Sequence, residues 1–406
     1  MIFILRTSEK TSFFLSDKTM KNKHFFIPLI IYITLSLLLY PFFQYNLNPD
    51  GIVYISIAKK YFTFNWELAI NGTWGPMLSI LFIPALLLNV EPIFYIKFVN
   101  IILGILLFWG LKILVSDSHP LNIENNYTKR GKLSFLQHIS GQSGSLNLRD
   151  DVKNAFFYAI IIPTVYFTYW VISPDFLLLV TFIFYIGLVI HEKFLKEIRN
   201  SILIGVLGAL LYYIKSYGFP FFLLHFSVLF LIGFVSAEKK DKTKIAKYGF
   251  LVLLVFSSIS SFWIINIHEK YDKWGISSAN NLFFSQINPK NNLVHAYLNN
   301  GIIAPPDSMS IAANEDPSLY DIESWNPFGS SESIKYYSGW VLKNILKVIQ
   351  FILVFSPFVI LLFFPKIVSR IIKDKRAFTI IISMILYSSG YIMLFVETRY
   401  VWQVML

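Results

Sequence analysis

The sequence predicts an all-α, polytopic membrane protein. Of its 406 residues, 55% are hydrophobic and only 15% charged, the mean hydropathy is +0.57, and the apolar residues gather in blocks rather than at amphipathic spacing. That composition excludes an ordinary soluble enzyme. It also excludes a disordered chain, which needs low hydrophobicity. The absence of cysteine removes disulfides, thiolate catalysis and Cys-ligated metal centres. A net charge of +11 would suggest nucleic acid in a soluble protein, but in a membrane chain the position of each charge decides, and no nucleic-acid partner is expected.

Blocks able to cross about 30 Å of hydrocarbon at about 1.5 Å per residue lie at 25–43, 92–115, 154–172, 201–217, 219–236, 247–266, 346–364 and 377–396. The shorter, purely apolar block 176–190 brings the expected spans to nine. Block 25–43 follows a basic stretch and lacks a small-residue cleavage site, so it reads as a retained signal anchor. Intervals 1–24, 117–153, 191–200, 237–246 and 365–376 are basic. With Lys112 and Lys247, that side carries 24 Lys/Arg against 11 Asp/Glu. The positive-inside rule puts it in the cytoplasm together with the N-terminus. Segment 76–90 would break the alternation if it crossed. It is about 22 Å long as a helix and interrupted by Pro84, which predicts a juxtamembrane or re-entrant helix, the alternative being a short, distorted span.

Three parts follow: an N-terminal transmembrane module, 1–266; an extracytoplasmic cap, 267–345, punctuated by Pro305, Pro306, Pro317 and Pro327; and C-terminal transmembrane helices, 346–406. The chemistry is expected in the outer regions 44–91, 173–175 and 267–345. Asp50, in Asn48-Pro49-Asp50-Gly51, starts an amphipathic helix on which Ile52, Ile55, Ala58 and Phe62 recur. It reads as an N-cap, as a carboxylate placed to take a proton from an acceptor hydroxyl, or as both. Asp175, in Ser173-Pro174-Asp175, is either a polar turn residue or a site residue, because an ionisable group in so short a hairpin needs a partner or water. Two carboxylates on one face suit acid/base work, substrate hydroxyl binding or a divalent cation held by Asp50 and Asp175; no other cofactor is expected.

Lys215 stands where positive-inside disfavours it, as a snorkelling lysine or an anion clamp. Arg399, beside Glu397 and Tyr400, is either paired with Glu397 or available to bind a phosphate bidentately. Tyr54, Trp74, Trp325 and Tyr400 could line a sugar or lipid site, although an interfacial aromatic belt accounts for them as well. The histidines show no metal-binding spacing: His24, His119, His138 and His191 map to the cytoplasmic side, His225 lies in a helix, and His268 and His295 stand isolated. Walker A, Rossmann and GxSxG motifs are absent.

In order, PDGIVYISIA, NGTWGPMLS, SPD, YYIKSYG and ETRY resemble the GT-C superfamily of membrane glycosyltransferases, in particular the branch with protein O-mannosyltransferases and lipid A aminoarabinose transferases. The resemblance covers nearly the whole chain through short motifs. It implies a GT-C-like bundle with juxtamembrane helices in the first outer loop, Asp50 as catalytic base, Asp175 as supporting acid, and Lys215 and Arg399 on the donor phosphate. Where the aminoarabinose transferases carry Gly-Lys-Pro, this chain has Gly75-Pro76 after Trp74. Family members also continue with further spans after the Arg-Tyr pair, so the resemblance implies that spans are missing beyond Leu406.

The expected function is inverting transfer of a sugar from a polyprenyl-phosphate carrier to an extracytoplasmic glycan, lipid or protein acceptor at the cell membrane. Tyr54 and Trp74 are expected among the substrate-binding residues. The rival reading is a lipid or solute transporter with Asp50, Asp175 and Lys215 along its path. Transporters place such groups at mid-membrane in repeated halves, and no repeat is visible here.

Overall fold

The computed structural model describes residues 6–116, 150–191, 193–278, 284–289, 307, 310–311, 315–316, 325–355 and 374–405. Their regular structure is helical, without a strand among the described residues. In order the helices are α1 (Arg6–Phe43), α2 (Pro49–Phe62), α3 (Trp66–Ala69), α4 (Pro76–Leu87), α5 (Pro92–Ser116), α6 (Asp150–Ala159), α7 (Ile161–Tyr169), α8 (Asp175–Ile190), α9 (Ile198–Ile214), α10 (Gly218–Ser236), α11 (Lys239–Tyr271), α12 (Ser331–Phe355) and α13 (Lys375–Met393). A 3₁₀ turn, Thr398–Val401, and the short α14, Trp402–Met405, follow.

Six described helices are long and apolar enough to cross a membrane, within α1, α5, α10, α11, α12 and α13. That makes the chain a multi-pass membrane protein. The other expected spans appear as shorter apolar helices: Asn154–Tyr169, Asp175–Ile190 and Ile198–Ile214. Residues 356–364 of one expected span lie outside the described residues, as do His119, His138, His295, Pro305, Pro306, Pro317 and most of the loop 117–153.

Proline acts differently from expectation at two places. Helix α4 runs unbroken through Pro84, because one forfeited hydrogen bond near its end is outweighed by packing on α2, α5 and α9. The expected span 154–172 instead breaks at Ile160. Pro163 cannot donate to the Ala159 carbonyl, and its ring crowds that oxygen. The expected cap also shrinks at both ends: α11 continues to Tyr271, and α12 begins at Ser331.

The core is largely aromatic and apolar. Trp402 is buried with its ring 4.2 Å from that of Phe167, and Phe222 stacks on Phe256 at 4.4 Å. A buried polar chain fastens three helices. Ser383 Oγ donates to the Thr379 carbonyl (2.6 Å), so it accepts from His225 Nε2 (2.7 Å), and Nδ1 in turn accepts from the Tyr185 hydroxyl (2.7 Å). His225 is thereby a fully satisfied core residue joining α8, α10 and α13.

Helix α13 is shaped by an inserted side chain. The Tyr217 hydroxyl accepts from Gly390 N (3.1 Å) and donates to the Leu386 carbonyl (2.9 Å), occupying both ends of one rung of the helix ladder. Gly390 makes this approach possible, since a Cβ there would fall inside the Tyr217 ring. Gly390→Ala is therefore expected to lower stability by about 1–3 kcal/mol through overpacking. Gly233→Ala, where a Cβ meets open space, should be neutral or stabilising. Thermal unfolding of the two purified variants side by side checks the contrast.

Candidate functional site

The turn that carries Asp175 is set by polar groups gathered on the end of α7. A helix C-terminus leaves carbonyls without intrahelical partners. Here Lys97 Nζ donates to the Tyr169 carbonyl (2.9 Å), Asn100 Nδ2 to that of Thr168 (3.1 Å) and Asn46 Nδ2 to that of Tyr169 (3.3 Å). The buried Lys97 also places a cation at the negative end of the helix. Just beyond, Ile172 N donates to Asn48 Oδ1 (2.8 Å), tying this turn to the start of α2. The loop is thus fixed at both sides before Asp175 opens α8.

Asn48, rather than Asp50, occupies the N-cap position of α2. Its side chain faces Ile172, and Asp50 lies in the first turn, where a carboxylate complements the helix dipole. The N-cap reading of Asp50 is corrected accordingly: its Oδ2 accepts from Arg399 Nη1 instead. Lys215 caps the C-terminus of α9 and sends Nζ to Asp175 Oδ1 at 2.8 Å. Its ammonium lies 3.7 Å from the centroid of the Tyr400 ring and 5.1 Å from that of Tyr391, and those two rings stack on each other at 5.0 Å. Lys215 is held by a carboxylate and two rings.

Arg399 closes the cluster. Its Nε donates to Glu397 Oε2 (2.6 Å) and lies 3.8 Å from Asp175 Oδ2, while Nη1 holds Asp50. The pairing with Glu397 expected from the sequence exists, but it is one of three carboxylate contacts. Residues separated by up to 349 positions are thereby brought to one end of the bundle. Asp175 is 1% exposed, whereas Lys215, Arg399 and Asp50 keep 23%, 15% and 20% of their side-chain surface. The cations and Asp50 can be reached from outside; Asp175 serves as the fixed negative floor beneath them.

Tyr54 lies one turn beyond Asp50 on α2, buried, with its ring edge-on to Trp74 at 5.3 Å. Burial raises its hydroxyl well above the usual tyrosine range, and the Asp50 and Asp175 charges add to that. Tyr54 is therefore buried beside the cluster, and the half-buried Trp74 meets the site through Tyr54. Gly75 follows, its missing Cβ only 2.5 Å from the Tyr213 carbonyl and 2.6 Å from that of Ile214, so the first loop rests directly on the end of α9. Trp325 packs elsewhere, against Tyr336 and Tyr337 of α12.

Burial lowers the pKa of the Lys215 ammonium, against the opposing pull of Asp175. The Arg399 guanidinium is held firmly charged: burial disfavours the cation, but Tyr400, Asp175, Asp50 and Glu397 more than offset it.

Compared with protein-family models, curated proteins and solved structures, the chain matches none. No group of three or more His, Asp or Glu side chains is placed to hold a metal ion among the described residues. Asp50 and Asp175 both face Arg399.

A second polar cluster, not singled out in the sequence, lies further along α2. Lys60 Nζ pairs with Glu315 Oε1, and Ser56 Oγ donates to Glu315 Oε2 (2.9 Å). Asn71 Nδ2 donates to the Glu315 carbonyl (2.6 Å), while Lys270 lies 3.3 Å from Asp316, which also accepts from the Tyr271 hydroxyl (2.7 Å). Both charges of the Lys60–Glu315 pair are buried. Such a pair fixes position more than it adds stability, and here it pins residues 315–316 onto the first loop.

Proposed function

We propose that this chain is a membrane glycosyltransferase with a GT-C-like bundle of nine crossings, built from the six long helices together with α6–α7, α8 and α9. Its N-terminus lies in the cytoplasm of a cell membrane, and the charged cluster opens on the extracytoplasmic side. The reaction is inverting transfer of a sugar from a polyprenyl phosphate to the hydroxyl of a glycan, lipid or protein. One observation carries the reading: an acid, Asp50, and two cations, Lys215 and Arg399, meet in a partly open cluster at one end of an apolar bundle.

In this reaction Asp50 takes the proton of the acceptor hydroxyl as its oxygen attacks the anomeric carbon. The bond from that carbon to the phosphate oxygen breaks, and the leaving polyprenyl phosphate takes the electron pair. Lys215 and Arg399 stabilise the charge growing on it. Asp175 acts on the cations rather than on the sugar, holding Lys215 in place and facing Arg399. Because Arg399 pairs with Asp50 before substrate arrives, an incoming phosphate competes for the guanidinium and frees the base as it binds. Gathering of the ionisable groups at one end, rather than along a path through the middle, supports transfer over transport.

The test is incubation of the purified protein in lipid nanodiscs with a panel of polyprenyl-phosphate sugars and acceptor alcohols, scoring glycosylated product and released polyprenyl phosphate. Product formation is expected with at least one donor; movement of the intact donor across a vesicle membrane without product would establish the transport reading instead. Since burial lowers the Lys215 pKa and the charged form binds phosphate, the alkaline limb of activity is expected below the ordinary lysine value of about 10.4. Lys215→Arg should move that limb upward, because a guanidinium stays charged. A limb at the same pH in both proteins would remove Lys215 from the phosphate site.

A further inference from the structure

The charged cluster leaves unused a basic face on α12. Glu332, Lys335, Tyr336, Gly339, Trp340 and Lys343 line an open cleft of about 580 Å³. At 100° per residue, Lys335, Lys343 and Lys347 fall within one sector of the helix, roughly 120° wide and about 18 Å long. None of the three forms an ion pair with a carboxylate among the described residues. Lys335 and Lys343 are exposed. Lys343 Nζ lies 5.7 Å from the Trp340 ring, and Lys347 Nζ lies 5.7 Å from that of Phe395.

The level of this face is fixed by its contacts. The Tyr337 hydroxyl donates to the Met393 carbonyl (2.8 Å), Trp340 Nε1 to that of Leu394 (2.7 Å) and Asn344 Nδ2 to that of Ile392 (3.0 Å). Residues 337–344 therefore flank the end of α13, where an apolar helix gives way to Glu397 and Arg399. On the same side of α12, Leu346 lies between Lys343 and Lys347, Leu353 and Val354 lie beyond them, and all three are exposed. One helix face thus carries a basic and aromatic band at the edge of the apolar bundle, with exposed apolar side chains within and beyond it. At Gly339 a Cβ would meet nothing within 4 Å, so a ligand can lie close to the backbone.

We infer that this face of α12 binds an anionic phospholipid, with its phosphate among Lys335, Lys343 and Lys347 and an acyl chain along Leu346, Leu353 and Val354. Charge complementarity selects the headgroup: three lysines against Glu332 leave a surplus of positive charge that a zwitterionic lipid does not neutralise. The exposed apolar side chains select a lipid over a free anion. Lysines beside an anionic membrane surface each add several-fold to binding, so the three together are worth at least about tenfold. The site does not depend on the transfer reaction and would exist in a transporter as well.

The absence of cysteine makes a local measurement direct. The full chain carrying Ser338→Cys, labelled with a fluorophore at that exposed position beside the cleft, is placed in nanodiscs. Quenching is then measured with phosphatidylglycerol bearing a nitroxide on its acyl chain and with the phosphatidylcholine analogue. Phosphatidylglycerol is expected to quench at several-fold lower mole fraction, and inorganic phosphate should leave the preference unchanged. Lys335→Gln, Lys343→Gln and Lys347→Gln together should abolish the preference, whereas arginine at the same three positions should keep it. Lys343→Gln alone, with an unaltered unfolding temperature as its check, should reduce it. Equal quenching by the two lipids, an undiminished preference in the glutamine variants, or its loss on adding inorganic phosphate would overturn the assignment.

Discussion

Asp50→Asn is expected to cut sugar transfer by about 10²–10⁴-fold, the range for removal of a general base, while leaving the protein folded. The substitution keeps the shape of the side chain and an oxygen to accept from Arg399 Nη1, so the contact that holds the site survives. What disappears is the ability to take a proton. If Asp50 served only as a dipole partner in the first turn of α2, the same change would cost about 0.3–1 kcal/mol of stability and leave turnover intact. Steady-state transfer and thermal unfolding measured on one preparation separate the two. Wild-type turnover in Asp50→Asn would reject the proposed base.

Asp175→Ala should act in the opposite manner, through the fold first. It removes a carboxylate that is 1% exposed and leaves Lys215 and Arg399 facing each other without the charge between them. Breaking a buried pair by deleting one partner costs about 3–5 kcal/mol. The residual solvent access of the two cations places this case at the lower end, about 3 kcal/mol. An unchanged unfolding temperature would show that the cluster does not depend on its buried acid. Asp175→Asn, which keeps the volume and loses the charge, should fall between.

The members of the cluster were legible in the sequence because each is a charge where charge is expensive. Asp50, Asp175, Lys215 and Arg399 border apolar blocks, and an ionisable group at such a border calls for a reason. Their convergence was not legible from spacing, since the Asp50–Arg399 contact spans 349 positions; the alternation of charged intervals put the two carboxylates on one face, and the resemblance grouped the cations with them. Lys97, Lys60 and Glu315 escaped notice for the same reason. Lys60 and Glu315 are 255 apart and no local pattern marks them; Lys97 does carry a signal, a charge inside the apolar block 92–115, but the carbonyl it satisfies lies 72 residues away.

Helices were predicted well where composition alone decides. Their ends were not. Residues 331–345 mix lysine, serine and tyrosine with apolar side chains, which hid the first turns of α12 from a reading based on apolar runs. The proline positions show the same limit. Pro84 and Pro163 carry the same backbone defect, yet α4 absorbs it near its end and the other helix breaks.

The order in which the cluster's parts are synthesised has a consequence for biogenesis. A chain emerging from the ribosome and inserted helix by helix presents Asp50, Asp175 and Lys215 long before Arg399 follows. Until that last guanidinium arrives, the three earlier groups sum to a single negative charge, and the one cation among them, Lys215, is matched by Asp175. The cluster is therefore complete only with the late docking of Arg399 and Trp402 against helices already in place, and under the proposed reaction a half-inserted chain would not turn over.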